Sequence, residues 1–186
     1  MILTGIQIKN EYMRGNIVIT PFDNNLLNPN SYNFRIGKQI LMYKTDEVID
    51  TRMQPSTVAI DFPDDGLVLE PGRLYLGHTL EVMGSSCYVP IIGGRSSTGR
   101  LGLFVHITAP LGDIGYFGQW TLQLRATIPV RVYPGQKIGQ MIFVKAYGEI
   151  DSYQGKYQGG KGPQSYNPKG LFVEDANSIS VVNTCA

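Results

Sequence analysis

The chain has 186 residues, of which 42% are hydrophobic and 17% charged, and its net charge at neutral pH is +1. This length and composition fit one soluble domain with its own core, and they exclude a chain that is disordered throughout. Basic and acidic residues are interleaved without a basic stripe, so an extended nucleic-acid-binding surface is not expected. A small anionic ligand held by a few arginines is compatible with this charge balance.

The sequence also predicts a cellular compartment. Its two cysteines, Cys87 and Cys185, are too few for a disulfide framework, and no partner motif gives either one a catalytic role. The first five residues lack the charged and apolar regions of a signal peptide, and no apolar run is long enough to span a bilayer. We therefore expect a cytoplasmic, reduced protein with neither a membrane nor a nucleic-acid partner.

One short helix and many short strands are predicted along the chain. Thr4 has the side chain of a helix N-cap, and the helix that it begins would end at Tyr12. Runs rich in β-branched and aromatic residues then predict strands at residues 17–20, 32–36, 39–43, 58–61, 67–69, 73–81, 88–93, 103–106, 119–126, 130–133 and 138–146. The 22 glycines and 11 prolines separate these runs at the spacing of an all-β barrel or sandwich.

The C-terminal part of the chain differs from the rest. Residues 155–164 are rich in glycine and lysine and poor in core residues. This composition is typical of a disordered tail, or of a flexible arm that closes over a ligand and supplies tyrosine and lysine side chains. Residues 171–186 contain no interpretable motif. We therefore divide the chain into a β domain at 1–147 and an arm or tail at 148–186.

The segment from Gly94 to Gly102 contains the clearest binding chemistry. It reads Gly-Arg-Ser-Ser-Thr-Gly-Arg-Leu-Gly and follows an apolar run, so it is expected to form a turn at the end of a strand. The guanidinium groups of Arg95 and Arg100 bracket two serine hydroxyls and backbone amides that glycine leaves open to close approach. Such groups hold a polyphosphate.

Two other residues allow two interpretations each. His106 ends the predicted strand 103–106, where a hydrogen-bonded core histidine is favoured over a catalytic one. Asp113 lies in a predicted turn, where aspartate usually accepts hydrogen bonds from its own backbone. If it lies beside the turn predicted at residues 94–102, called here the arginine-serine turn, its carboxylate would instead orient water or a sugar hydroxyl. The His-x-Glu and Pro-Cys-x-x-Cys motifs of zinc deaminases are absent. No zinc is expected, and magnesium is expected to arrive with the phosphates.

Several motifs in a fixed order resemble those of the dCTP deaminase and dUTPase superfamily. The similarity is greatest to the dCTP deaminases, including the bifunctional dCTP deaminase-dUTPase type. The motifs are Pro29-x-Ser31-Tyr32-x-x-Arg35-x-Gly37, Gly94-Arg95-Ser96-Ser97, Arg100-Leu101-Gly102-Leu103, His106, Thr108-Ala109, Asp113-Ile114-Gly115-Tyr116, Gly118, Thr121-Leu122, Pro134-Gly135, Ile138-Gly139-Gln140 and Lys156-Tyr157-Gln158-Gly159. The resemblance implies a distorted β-barrel or jelly roll of the dUTPase type. It also implies a homotrimer with shared sites that bind dCTP, dUTP or dTTP.

The resemblance further implies roles for individual residues. Arg95, Ser96 and Ser97 would contact the triphosphate and the attacking water. Arg100 would stabilise charge near the base, and Asp113 would meet the 3′-hydroxyl of the deoxyribose. The other implied substrate-binding residues are Ala109, Thr121 and, from the arm, Tyr153, Lys156 and Tyr157.

Two residues depart from the family pattern. In the deaminases a strand reads Thr-Leu-Glu, and its glutamate transfers protons, whereas Gln123 stands at that place here. A neutral amide cannot accept a proton near neutral pH, and the loss of a general acid or base typically lowers the rate by about 10² to 10⁴. Asn33 stands where the family usually has aspartate. Three hypotheses fit Gln123: an engineered substitution that traps substrate, a natural enzyme confined to attack at the α-phosphate, or a nucleotide binder without turnover.

The sequence as a whole predicts a hydrolase of pyrimidine deoxynucleoside triphosphates. The implied reaction converts dCTP and water to dUTP and ammonia, and its extension yields dUMP and pyrophosphate. The alternatives are a dUTPase-like pyrophosphatase, a non-catalytic nucleotide binder, and a structural β protein in which the arginine-serine turn is fortuitous.

Overall fold

A computed structural model describes residues 1–44 and 48–171, so Cys185 and the end of the predicted arm lie outside the described residues. Helix α1 (Gly5–Met13) begins after Thr4, whose side-chain oxygen accepts a hydrogen bond from the backbone nitrogen of Gln7 at 3.3 Å. This confirms the predicted N-cap. Within the described ranges no helix has both the length and the apolar character required to cross a membrane.

Short strands make up most of the remaining structure. They are β1 (Ile17–Thr20), β2 (Leu27–Asn28), β3 (Ser31–Arg35), β4 (Gln39–Tyr43), β5 (Thr57–Asp61), β6 (Leu67–Leu69), β7 (Tyr75–Ser85), β8 (Tyr88–Gly94), β9 (Leu103–Phe104), β10 (Phe117–Ala126), β11 (Val130–Val132) and β12 (Lys137–Lys145). A 3₁₀ helix (Asn24–Leu26) and a single helical turn, α2 (Ser96–Gly99), lie between them. Each predicted strand has a counterpart. Strand β2 is not predicted from the sequence, because two residues are too short to show alternation.

The predicted strand 103–106 was too long, since β9 ends at Phe104. Beyond it the chain bends into a loop, and the side chain of His106 contacts the carbonyl oxygen of Ala109 inside that loop. A local contact between side chain and backbone replaces the interstrand ladder at this point.

The strands form three antiparallel sheets in the described part of the chain. One sheet has the order β5-β4-β7-β10-β9, with β1 also paired to β7; a second has the order β2-β3-β12-β8; and β6 pairs with β11. This arrangement is consistent with the predicted jelly roll and does not close into a barrel. The all-β prediction with a short N-terminal helix is confirmed.

Strand β10 shows how the core positions the candidate site. Successive side chains of a strand point to opposite faces. Leu122 and Leu124 are completely buried in the core, so Thr121 and Gln123 face the other way. The alternation that anchors the strand therefore also presents two polar side chains on one surface.

Candidate active site

A cavity of about 520 Å³ lies between β10, the loop before it and the C-terminal segment. This volume is in the range that holds a small organic ligand. The wall is largely aromatic and aliphatic, with a few polar side chains. The residues predicted from the sequence that line it are Asp113, Thr121, Gln123, Tyr153 and Tyr157.

The two polar residues of β10 are held by hydrogen bonds from different segments. Gln123 Oε1 accepts a hydrogen bond from the backbone nitrogen of Ile107 at 3.2 Å. Thr121 Oγ1 accepts one from the backbone nitrogen of Gln164 at 2.9 Å. In the described part of the chain the Gln123 Nε2 group has no protein partner, so the side chain offers the cavity an N–H donor.

The loop between β9 and β10 carries Asp113 and is braced by the side chain of His106. His106 Nε2 lies 2.5 Å from the carbonyl oxygen of Ala109, so Nε2 carries the proton of this contact. The other ring nitrogen, Nδ1, is buried and has no hydrogen-bond partner among the described residues. Burial lowers the pKa of His106, opposed by this hydrogen bond. His106 thus braces the loop through its contact with the Ala109 carbonyl. Ala109 does not line the cavity.

Asp113 lies at the far end of this loop. Its side chain is exposed and lines the cavity. Within residues 1–44 and 48–171 its carboxylate accepts no hydrogen bond, not even from its own turn. Its oxygens are therefore available to a hydroxyl or a water molecule, as the functional interpretation of this residue requires.

The described residues of the C-terminal segment, 148–171, contact β10 through backbone and side-chain hydrogen bonds. The backbone nitrogen of Gln119 donates to the carbonyl oxygen of Gly160 at 2.8 Å, and that of Gly162 donates to Gln119 Oε1 at 2.7 Å. Together with the Gln164 bond to β10, these contacts close one side of the cavity. The described part of the predicted arm thus forms a wall of the cavity.

The predicted arm residues separate into two groups. Tyr153 and Tyr157 line the cavity, and the backbone nitrogen of Tyr157 donates to the hydroxyl of Tyr153 at 3.1 Å. Lys156 does not line it. Its Nζ donates to the carbonyl oxygens of Asn167 and Lys169 at 2.7 and 2.6 Å, so it fastens the segment to itself.

The arginine-serine turn lies outside this cavity. Arg95 caps α2, and its NH1 group donates to the carbonyl oxygen of Lys137 at 3.2 Å. Ser96, Ser97 and Arg100 are exposed to solvent. None of the four lines the cavity. A single chain therefore presents the predicted phosphate-binding and base-binding groups on separate surfaces.

Comparison with known proteins places these features in a family. Residues 2–146 match the family model described as dCTP deaminase-like. The chain is 48% identical over 165 residues to the dUMP-forming dCTP deaminase of Clostridium beijerinckii, covering 88% of this chain and 94% of that one. The chain belongs to the dCTP deaminase-like family. The enzyme of the same name from Hathewaya histolytica is 47% identical over 175 residues, covering 94% of this chain and 99% of that one.

A solved structure agrees with the fold of this dCTP deaminase-like chain. The 2′-deoxycytidine 5′-triphosphate deaminase of Agrobacterium tumefaciens superposes with a TM-score of 0.61 at 21% sequence identity. The match covers 76% of this chain and 47% of that longer chain. At this level of identity the similarity supports the shared fold.

Several cavity residues of this family member were not predicted from its sequence. They are chiefly Tyr43, Trp120, Gln164 and Tyr166. Strict alternation would place Trp120 on the face opposite Thr121, but the pairing of β10 with β7 shifts between Gln119 and Thr121. Such an irregularity changes the local direction of a strand, and Trp120, which lies at it, both packs against the core and lines the cavity.

Proposed function

We propose that this dCTP deaminase-like protein hydrolyses pyrimidine deoxynucleoside triphosphates, with the base and deoxyribose bound in the cavity. The observation that carries the proposal is the convergence of Thr121, Gln123 and Asp113 on one pocket walled by tyrosines. Its relatives are named dCTP deaminases that form dUMP. The proposed overall reaction converts dCTP and two water molecules to dUMP, ammonia and pyrophosphate.

Gln123 binds the base in this proposal. Its Oε1 is occupied by the Ile107 N–H, so its Nε2 group is the part that meets the ligand. An amide N–H donates to a ring nitrogen or carbonyl oxygen of a pyrimidine, but it cannot take a proton from water. We therefore expect base recognition to be retained and deamination to be the slow step. The aromatic side chains of Tyr153 and Tyr157 exclude water from the bound base.

Asp113 and the arginine-serine turn act on the sugar and the phosphates. Asp113 accepts a hydrogen bond from the 3′-hydroxyl of the deoxyribose. Arg95, Ser96, Ser97 and Arg100 bind the triphosphate and stabilise the charge that develops at the α-phosphate during attack by water. In this proposal magnesium arrives with the phosphates of the nucleotide substrate.

A homotrimer with shared sites completes this geometry. The turn is exposed and does not line its own chain's cavity, so we propose that it reaches the cavity of a neighbouring copy. Exposed apolar side chains flank both surfaces, with Leu101 beside the turn and Leu111 at the cavity, and they support a subunit contact. Mixing an Arg95→Ala chain with an Asp113→Asn chain tests this. Recovered activity after subunit exchange indicates shared sites; no recovery contradicts them.

The neutral side chain of Gln123 favours a second candidate function. Attack at the α-phosphate uses the arginine-serine turn and does not require an acid at position 123. A pyrophosphatase that acts on dUTP alone would therefore keep the phosphate chemistry and lack deamination. The cytoplasm, where nucleotide pools are found, is the proposed compartment for either activity.

Incubation of the purified protein with dCTP or dUTP and magnesium, resolved by chromatography with an ammonia assay, tests both candidates. Formation of dUMP from both nucleotides supports the first. Formation of dUMP from dUTP alone supports the second. Neither ammonia nor pyrophosphate above background would mean that the protein does not hydrolyse these nucleotides.

A further inference from the structure

The side-chain amide of Gln158 joins two turns at the edge of the cavity. One, called here the Asp113 turn (residues 113–117), lies between β9 and β10. The other, called here the Tyr153 turn (residues 153–159), belongs to the C-terminal segment. Asp113 and Tyr153 both line the cavity. A group that fixes one turn against the other therefore fixes the relative placement of these two side chains.

Gln158 uses the full hydrogen-bonding capacity of its amide. Its Nε2 donates to the carbonyl oxygens of Gly115 at 2.6 Å and of Tyr153 at 3.3 Å. Its Oε1 accepts from the backbone nitrogens of Phe117 at 2.9 Å and of Gly159 at 3.2 Å. An amide side chain has two N–H donors and an oxygen with two lone pairs, so every position is occupied. All these partners are backbone groups, and each turn supplies two of them.

The Gln158 amide completes a ladder of hydrogen bonds between the two turns. The backbone nitrogen of Tyr153 donates to the carbonyl oxygen of Ile114 at 2.8 Å. The backbone nitrogen of Gly159 donates to the carbonyl oxygen of Phe117 at 3.0 Å. Between these bonds the side chain of Gln158 takes the place of a peptide unit, because it offers the same N–H and C=O groups.

Gly115 is held from both sides and leaves no room for a side chain between the turns. Its backbone nitrogen donates to the carbonyl oxygen of Ser85, at the end of β7, at 2.8 Å. Its φ is +91°, in the region that favours glycine, and an added Cβ would lie 2.9 Å from the backbone nitrogen of Tyr153. The turns thus meet backbone to backbone. Their relative orientation depends on hydrogen bonds such as those of Gln158.

We infer that Gln158 is a positioning residue for recognition of the 3′-hydroxyl of the deoxyribose. It does not line the cavity itself, but it orients the turn from which the Asp113 carboxylate reaches the cavity. The inference rests on the proposed function, in which this carboxylate accepts a hydrogen bond from the 3′-hydroxyl. Hydrogen bonds weaken steeply as their angle departs from linear, so a turn that can pivot loses this contact first. The C-terminal segment thereby contributes to sugar recognition through a residue that does not touch the sugar.

The main test compares Gln158→Met with Gln154→Met. Methionine keeps the length of the side chain and removes its hydrogen bonds without adding charge. Gln154 is the matched control, because its side chain is exposed, makes no hydrogen bond within the described residues and does not line this cavity. Isothermal calorimetry with magnesium measures the dissociation constants of α,β-imido-dUTP and of its 3′-deoxy analogue. The imido bridge prevents cleavage at the α-phosphate during the measurement.

The informative quantity is the 3′ ratio, the dissociation constant of the 3′-deoxy analogue divided by that of α,β-imido-dUTP. In the unaltered protein and in Gln154→Met we expect a 3′ ratio of about ten, because the analogue lacks a hydrogen bond to a charged acceptor. In Gln158→Met the ratio should fall toward unity, while the dissociation constant of the 3′-deoxy analogue stays unchanged. Asp113→Ala should lower the ratio too. Adding Gln158→Met to Asp113→Ala should not lower it further, because both residues act through one contact.

The outcomes separate the inference from the function on which it rests. Failure of the unaltered protein to bind α,β-imido-dUTP overturns the proposed function, and the inference with it. If Asp113→Ala lowers the 3′ ratio but Gln158→Met does not, the inference alone is wrong. Equal weakening of both analogues, with the ratio intact, would show a merely structural role and also overturn it. If Gln158→Met does not fold, Gln158→Glu, which loses only the two donated bonds, provides the same comparison against Gln154→Glu.

Discussion

The side-chain oxygen of Gln123 and the backbone nitrogen of Ile107 lie 3.2 Å apart and are joined by a hydrogen bond. This bond ties β10 to the loop that carries Asp113. A carboxylate oxygen would accept the same N–H, and a charged acceptor would strengthen the bond. The site is therefore built to orient glutamate as well as glutamine at this position.

The first prediction follows from that equivalence. Gln123→Glu is expected to raise ammonia release from dCTP by about 10² to 10⁴, because it supplies a proton-transfer group in a side chain that is already oriented. Coupled ammonia detection measures the change. Gln136→Glu, which adds the same charge elsewhere on the chain, should leave the rate unaltered. A Gln123→Glu variant that binds dCTP but gains no deamination would contradict the assignment of this residue.

The second prediction concerns the link between the C-terminal segment and β10. Thr121→Val removes the oxygen that accepts from Gln164 and keeps the side-chain shape, so the segment should open more often. The loss of one neutral hydrogen bond, about 1 kcal/mol, should lower the hydrogen-exchange protection of the Gln164 amide about fivefold. Thr127→Val, which loses a bond to Gly102 outside the cavity, is the matched control. Equal protection in both variants would show that Thr121 does not hold the segment.

The third prediction concerns a buried ion pair. Arg35 Nε lies 2.7 Å from Glu81 Oε1, and the Glu81 side chain is fully buried. Arg35→Met strands a buried carboxylate and should lower the free energy of unfolding by about 3–5 kcal/mol. The double variant Arg35→Met with Glu81→Leu, which also removes the carboxylate, should recover most of the lost free energy of unfolding. Urea unfolding measures both variants. A double variant no more stable than the single one would mean that packing, and not charge, dominates here.

The fourth prediction concerns pH. Burial lowers the pKa of both His78 and His106 below the ordinary value of 6.5. As the pH falls, both histidines therefore take up a proton in the unfolded chain at a higher pH than in the folded protein. The folded state keeps its full stability with respect to these groups above pH 6.5 and loses stability as the pH falls toward their lower pKa values in the folded state. In that pH range each histidine changes the free energy of unfolding by up to about 1.4 kcal/mol per pH unit.

Urea unfolding between pH 5 and pH 8 measures this slope in the unaltered protein, in His78→Asn and in His106→Asn. Each variant should lose roughly half of the pH dependence that the two histidines produce. A slope unchanged in both variants would show that other groups cause it.

Much of the fold could be predicted because its signals are local. The Thr4 cap, the alternation along the second half of Phe117–Ala126 and the glycine-marked turns act over a few residues, and the structure places the elements accordingly. Prediction failed where a short contact leaves no repeating pattern in the sequence. The loop at His106 cut the strand 103–106 short, and β2 forms only because β3 pairs with it.

The candidate site divides in a similar way. Asp113, Thr121 and Gln123 carry visible chemistry, and the structure brings them to one cavity. Trp120 lies at a register shift that no alternation pattern predicts. The sequence predicts Lys156 as a substrate-binding residue, yet its Nζ donates to carbonyl oxygens of its own segment. The position of those oxygens depends on how the segment folds back, which residue types and short spacing do not predict.

By itself the sequence determined the strand-rich architecture, the arginine-serine turn and the neutral residue at position 123, since each depends on residue type and short spacing. The tertiary structure alone decided that this turn lies away from the chain's own cavity and that the C-terminal segment forms a wall of it. Those facts depend on which distant strands pair and in which register. Such pairing is set by the packing of the whole core and not by any short stretch of residues.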